Sequence, residues 1–430
     1  MIWNTNNLYF SFLIIVLSLV LYAPESSGQA RKARSEGFDP NEPPETRYQI
    51  LPYLTFGSQI EFEYKYYRNL DLDDSSNEDE STIEPAINLA FSFDPFTFLQ
   101  AFINVKFGGE FEIEDGQSKK DRAIFEIEEA YIFLKDLFQD RFSLQIGRQQ
   151  FDDERQWLYD AELDGVRAFI LNWGIVTQLS VSRDGIINRD LINKEAGDKT
   201  FNYIVYSTYY FDEDTNLAGY FLVRDDTTGE NNSPIFIGMH SDGEISNDFD
   251  YWIELAYATG KEGSNSINGF GFDLGLLYAF DINPEPSITF GYAFGSREFR
   301  QTGLEGNEGD FNGAVDFLYY GEFFEPVLAN MSIITAGAGL NPTDESSIDL
   351  VYHYYFQSKA SEEIRDSNLD IEPNGINKSL GNEIDLILGY EQQEEKLAIA
   401  LSFGYFIPGS AFPTDASNGF SAKLIMAYEF

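Results

Sequence analysis

Three arginines crowd one short stretch, IGRQQFDDERQWLYDAELDGVRAFI (Ile146–Ile170): Arg148, Arg155 and Arg167. Between and around them stand Asp152, Asp153, Glu154, Asp160, Glu162 and Asp164. A guanidinium group is a planar fork of donors, so a cluster of them attracts carboxylates and can bind them bidentately. Interleaved acids would hold such arginines in place and keep a bound anion exchangeable. The plainer alternative for each arginine is a salt bridge on a rim or in a loop. Asp152–Glu154 and the run DLDDSSNEDE at Asp71–Glu80 also carry the hard oxygen donors that Ca²⁺ takes. Such runs are more often solvated loops, and no other cofactor is expected. Cysteine is absent, which removes disulfides and thiolate metal sites. His240 and His353 lie far apart, with no zinc, nucleophile or phosphate-loop motif beside them. Neither an enzyme nor a metal site is expected.

The elements that must carry these residues have a period of two. In Gln59–Tyr67, Ile60, Phe62, Tyr64 and Tyr66 alternate with Gln59, Glu61, Glu63 and Lys65. Leu99–Phe107 places Leu99, Ala101, Ile103, Val105 and Phe107 opposite Gln100, Phe102, Asn104 and Lys106. Tyr251–Ala258, Ile348–Gln357, Glu383–Tyr390 and Leu397–Tyr405 repeat the pattern. Alternation alone fits any half-buried antiparallel sheet. These segments run to about ten residues, the length of a tilted membrane-spanning strand. Their apolar faces often end in Tyr or Phe, as interfacial girdles do, and the opposite faces mix small and charged residues as a wet lumen would. Short spacers (Asp94–Pro95, Asp136–Asp140, Gln392–Glu395) are interspersed with long polar ones (Asp71–Glu80, Asp184–Lys199, Arg300–Asp310, Lys359–Ser379). The expectation is an all-β, transmembrane, antiparallel up-and-down barrel. At ~22 residues per strand and connection, roughly 18 strands fit; Gly313–Leu340 is the segment hardest to divide. Parity adds Arg297 as a lumen candidate, after Thr289, Gly291, Ala293 and Gly295 on one face, and Arg183 as a weaker one. The same parity sets Arg148 on the face of Phe142, Leu144 and Ile146, which looks lipid-facing. Either the strand ends near Gly147 or a bulge there re-aims the side chain.

The chain's opening residues fit export. An apolar run from Leu8 to Tyr22 is too short for most membrane-spanning helices, and Gly28 and Ala30 sit at the −3 and −1 positions of a cleavage site. Residues 1–30 therefore read as a signal peptide, although the first ten carry no Lys or Arg; the alternative is an uncleaved anchor. Residues 31–47 read as an unstructured lead-in, with Pro40, Pro43 and Pro44, and 48–430 as the barrel. Of the 430 residues, 72 are acidic and 28 basic, a formal net charge of −44. Phosphate would be repelled by such a chain, which excludes nucleic acid as a partner. The last residues, FSAKLIMAYEF, put Phe420, Ala422, Leu424, Met426, Tyr428 and Phe430 on one face. A final strand ending in an aromatic resembles the assembly signal of bacterial outer-membrane proteins, read by the barrel-assembly machinery. That strand must close on the first so that no edge is left free.

Ile146–Ile170 resembles the hallmark segment of the alginate-export porin family. YYGEFFEPVLANMSIITAGAG (Tyr319–Gly339), DLVYHYYFQ (Asp349–Gln357), GNEIDLILGY (Gly381–Tyr390) and FGYFIPGSAF (Phe403–Phe412) are similar to later parts of the same family, in the same order. The resemblance covers most of the chain after residue 48. It implies a large monomeric barrel in the outer membrane, embedded in its lipid, that lets an anionic polysaccharide such as alginate, or its oligomers, pass an arginine-rich constriction. Carried over by position, Arg148, Arg155, Asp164 and Arg167 become candidate lumen residues, with Arg297 added by parity. The chain's own acidity opposes a polyanion. The competing expectation is a general or carbohydrate-selective porin with an acidic lumen, and a third is a non-transporting barrel. An arginine ring at the constriction would favour the first, a carboxylate ring the second, and a lumen plugged by side chains the third.

Overall fold

The computed structural model describes residues 42–430 apart from 76–78, 115–116, 154, 194–198, 213–214, 229–231, 247, 264 and 393–395. The expected signal peptide, most of the lead-in and Glu154 lie outside the described residues. The alternating segments form the strands β1 (Leu54–Arg68), β2 (Asp79–Phe96), β3 (Leu99–Glu114), β4 (Gln117–Asp136), β5 (Phe142–Asp152) and β6 (Asp160–Asn172). Then come β7 (Ile175–Arg183), β8 (Thr200–Tyr210), β9 (Asn216–Asp226), β10 (Ser233–Ser246), β11 (Phe249–Glu262) and β12 (Asn265–Ala279). The last six are β13 (Ser287–Gly295), β14 (Met331–Thr343), β15 (Ser346–Gln357), β16 (Ser379–Gln392), β17 (Leu397–Pro408) and β18 (Gly419–Glu429). Each pairs antiparallel with its neighbours in the chain, and β18 pairs with β1 from Gln59↔Glu429 to Arg68↔Phe420. Among the described residues the barrel is thus closed and 18-stranded. Phe430 completes the seam: its N–H donates to the Ser58 carbonyl (2.9 Å) and its carbonyl accepts from Ser58 Oγ (3.1 Å).

One face of each strand meets the outside and the other the lumen. Ile60 (45%), Ile288 (53%) and Leu350 (52%) are exposed on the outer face, while Gln59, Thr289, Asp349 and His353 are buried on the inner one. In water such an apolar belt would be costly; in a bilayer it is the matched surface. Turns at 97–98, 173–174 and 344–345 mark one end of the barrel, while the connections 184–199, 296–330 and 358–378 mark the other. Exposed Phe96, Phe98, Phe138, Trp173, Phe211, Phe280 and Phe430 gather at the short-turn end, as an interfacial girdle does. The first turn is not at Asp94–Pro95 as the sequence suggests. The β2–β3 register shifts between Phe93 and Phe96, which accommodates a proline without a ladder N–H, and the chain turns at 97–98. Residues 42–47, the end of the expected lead-in, run along the inner wall. There the Glu45 N–H and the Arg47 guanidinium donate to Glu429 (3.0 and 2.8 Å).

Among the described residues the wall is interrupted between β4 and β5. β4 and β5 pair only from Leu134↔Leu144 to Ala130↔Arg148, whereas β5 stays paired with β6 out to Asp152↔Asp160. Beyond Gly147 the β5–β6 hairpin leaves the wall and turns into the lumen. Gly147 permits this: its φ is +136°, and a Cβ there would lie 2.2 Å from the Ala130 carbonyl oxygen. The gap is closed by the connection after β7. The Ile127 N–H donates to the Arg189 carbonyl (3.1 Å) and the Leu191 N–H to the Phe125 carbonyl (2.9 Å). Gly147→Ala is expected to destabilise the barrel by at least ~1–3 kcal/mol, because both the φ and the contact forbid a side chain. A fall in the temperature at which the compact form is lost on gels would register this; an unchanged temperature would show that the hairpin does not depend on Gly147.

Candidate functional site in the barrel lumen

Two inward-folding segments fill most of the lumen. Residues 296–330 bury Phe299, Phe311, Phe317, Tyr319, Tyr320, Phe323, Phe324 and Leu328 in one core with Phe151, Trp157 and Tyr159 of the hairpin. Carboxylates from the wall hold this segment by its backbone and by a tyrosine side chain. Glu383 Oε1 accepts from the Phe323 N–H (2.6 Å), and Glu383 Oε2 from the Phe324 N–H (3.2 Å) and the Tyr355 hydroxyl (3.0 Å). Asp273 accepts from Tyr320 Oη and Trp252 Nε1, both at 3.0 Å. Burial raises two acids of these loops. It pushes the Asp153 carboxyl up to about 7, with Glu254 adding and the Tyr159 and Leu158 N–H groups opposing. It pushes Glu325 up to about 7 against the hydrogen bond from Tyr67.

A cavity of about 380 Å³ stays open on the side of β1–β6 and β18. Among the described residues ten carboxylates line it. Glu61 and Glu63 come from β1, Glu84 from β2, Glu128 and Glu129 from β4, Asp152 from β5, Asp160 and Glu162 from β6, with Glu42 and Glu308 from inner segments. Four cations face them, Lys65, Lys106, Arg189 and Lys423. All four are paired: Lys65 with Glu63 (3.0 Å), Lys106 with Glu61 (3.1 Å), and Lys423 with Glu63 (3.7 Å) and Glu308 (3.9 Å). Arg189 reaches Glu126, Glu128 and Glu162 at 3.0–3.2 Å, tying the wall to the hairpin. The arrangement is a polar, mixed-sign passage with an excess of acid.

The structure scatters the arginines named from the sequence. Arg148 is buried where the hairpin leaves the wall, between Asp164 (3.4 Å) and Asp184 (3.3 Å). Asp164, buried beside it, also accepts from the Ile187 N–H (2.9 Å). Arg155 lies across the lumen, over the rings of Trp252 and Tyr319 (both 4.4 Å) and 3.5 Å from Asp273. Arg167 is buried over Phe151 (3.9 Å) and donates to the Gln150 carbonyl (2.5 Å). Arg297 falls beyond the end of β13 and is half exposed beside Glu298 (3.8 Å). The first three secure the inward hairpin rather than facing the cavity. His353 is buried under the plug, 3.0 Å from Thr335 Oγ1 and 3.3 Å from Asp385. Lys65 and Lys106 were visible as the polar half of an alternating pair. Arg189 had no such signal, since it reaches the cavity only because its loop substitutes for a missing wall strand.

Three comparisons place the chain among known proteins. The family model described as alginate export matches residues 52–420. The alginate production protein AlgE of Pseudomonas aeruginosa is 25% identical over 63% of this chain; the match spans 66% of that relative, just under two thirds. By shape the chain is similar to OccK11 (OpdR) of Pseudomonas aeruginosa, with a TM-score of 0.56 at 14% identity over 92% of this chain and 99% of that one. It is also similar to the outer membrane protein OpdK of the same organism, with a TM-score of 0.55 at 12% identity over 87% and 98%. These likenesses are of fold, a porin-type barrel, while the family match follows the sequence through nearly the whole barrel. The chain belongs to the alginate export family.

Proposed function

We propose that this chain is a monomeric outer-membrane channel that passes an anionic polysaccharide such as alginate, or its oligomers. The observation that carries the reading is the lumen cavity of a closed alginate-export barrel, in which every cation is pre-paired with a carboxylate. A passing uronate exchanges with these internal partners, so it is attracted without being trapped. Lys65, Lys106, Arg189 and Lys423 meet the polymer, and Arg148, Arg155 and Arg167 hold the hairpin that shapes the passage. The outer face belongs against outer-membrane lipid, with the long connections outside and the aromatic turn end towards the periplasm. The strand ending in Phe430 is the segment the assembly machinery takes up. Block of single-channel current by oligouronates tests this. Wild-type current is expected to be interrupted in a concentration-dependent way, and the block to weaken in Lys106→Glu/Lys423→Glu. A current indifferent to oligouronates in both proteins overturns the reading.

The excess of carboxylates around the cavity favours a second reading, a saccharide porin for neutral or cationic solutes. Block by neutral or amino-sugar oligomers, with none by oligouronates, would select it.

A further inference from the structure

The seam between β4 and β5 is unlike the rest of the wall. Among the described residues other neighbouring strands stay paired past local bulges such as that between Phe93 and Phe96, and β11 and β12 stay in register from Phe249↔Tyr278 to Glu262↔Asn265. Past Ala130, β4 loses β5, and the edge it leaves donates from Ile127 N–H to the Arg189 carbonyl and accepts at the Phe125 carbonyl from Leu191 N–H, around the Glu126↔Asp190 bridge. Side chains add the Arg189 clamp on Glu126, Glu128 and Glu162, and the contacts of Arg148 with Asp184 and of Asp164 with the Ile187 N–H. A closed barrel normally leaves no such edge, because unpaired backbone is costly in hydrocarbon.

Two further observations give the seam a direction. Glu128, Glu162 and Arg189 both close it and line the cavity, so parting it opens the cavity sideways. The closing segment also exposes Ile186, Ile187, Leu191 and Ile192. It lies beyond the lipid-facing row of Ile146, Val166 and Val181, past the paired row of Arg148, Asp164 and Arg183, of which Arg148 and Asp164 are buried. An apolar cover over a polar cavity suits a molecule with both characters.

We propose that this seam is a lateral portal between the bilayer and the cavity, and that its ligand is a single-chain amphiphile. The polar head takes the paired charges behind Arg189, and the acyl tail lies between Ile187 and Leu191 and the lipid belt. The proposal rests on the reading of the chain as a membrane channel and adds a second route to it. Arg189 is the latch: its three partners sit on the two sides of the seam, and its side chain is 41% exposed, so water and ligand compete for it.

The chain has no cysteine, so Glu126→Cys/Asp190→Cys introduces the only pair. Facing residues of a non-hydrogen-bonded antiparallel pair are close enough for a disulfide. The full chain would be reconstituted with benzoylphenylalanine at Ile425, a cavity-lining position on β18, and with a lysophospholipid radiolabelled in its acyl chain. Photolabelling of the barrel is expected in the reduced protein, to be lost in the oxidised one, and to return with reductant. Arg189→Ala alone is expected to increase labelling, which tests the portal even if the cysteine pair fails to give a compact barrel. Equal labelling of oxidised and reduced protein would mean entry through the mouth, and absence of labelling would mean no entry; either overturns the portal. Ionic current is recorded on the same samples. Loss of current in wild type would count against the channel reading, whereas intact current with lock-independent labelling counts against the portal alone.

Discussion

Single-channel conductance is expected to rise severalfold when residues 300–327 are replaced by a short Gly-Ser linker. A barrel of this strand number leaves an aqueous channel unless something fills it. Here the filling is the segment 296–330, whose aromatic side chains are buried against the β8–β17 wall. That core is attached by polar contacts that cannot be replaced by water once desolvated. Glu383→Ala is the gentler test of the same idea. It leaves the Phe323 and Phe324 N–H groups without their acceptor, while the Tyr355 hydroxyl keeps the Tyr320 carbonyl (2.8 Å). Each buried group left unsatisfied costs ~1–3 kcal/mol. The point variant is therefore expected to show wild-type current interrupted by brief larger openings, and the deletion a steady large current. If the deletion conducts no better than wild type, these residues are not what limits flow, and the cavity beside β1–β6 sets the conductance by itself.

The part of this architecture legible in the sequence is the part governed by local periodicity. Ile60, Phe62, Tyr64 and Tyr66 alternate with Glu61, Glu63 and Lys65 because one row meets lipid and the other water, and that fixes both faces of β1 without any neighbour. The closing strand was equally legible from Phe430 and the residues before it. Arg148 shows where the reasoning stops. Its parity points at lipid, and Gly147 marks the place where that can change, but the outcome depends on β4 parting from β5. That event involves residues distant in sequence: Ala130 on one strand and Arg189–Leu191 on a loop. Arg155 and Arg167 are its neighbours along the chain. In space Arg155 sits on Trp252 and Tyr319 on the far side of the lumen. Arg297 lies off the wall for a simpler reason: β13 ends at Gly295, and parity has no meaning past the last paired residue. Nor could the sequence show which acids and bases would share one cavity, since Glu63 and Lys423 meet only through barrel closure.

In dilute potassium chloride the channel is expected to prefer cations, even if oligouronates block it. Ten carboxylates against four cations leave the cavity a formal balance of −6. At roughly 8 Å in water each uncompensated charge contributes ~0.5 kcal/mol before screening. With a Debye length of ~10 Å at 0.1 M salt, six of them still supply ~1.4 kcal/mol, about a tenfold enrichment of K⁺. At 1 M, where the Debye length is ~3 Å, the same sum falls to ~0.2 kcal/mol. The reversal potential under a salt gradient should therefore be strongly cation-preferring at low salt and nearly neutral at high salt. Replacing Glu61, Glu63, Glu84 and Glu128 by Gln reduces the balance from −6 to −2 and should remove most of the preference. Arg155→Ala should leave it unchanged, since that guanidinium is held by Trp252, Tyr319 and Asp273 away from the cavity. An anion-preferring wild type at 0.1 M would mean that the four cations, not the ten acids, control the field, and that the polymer meets a basic passage after all. A cation-preferring pore that oligouronates nevertheless block would separate two properties usually treated as one: the mean field, which sorts small ions, and the local exchange of carboxylate partners at Lys106, Lys423 and Arg189, which sorts polymers.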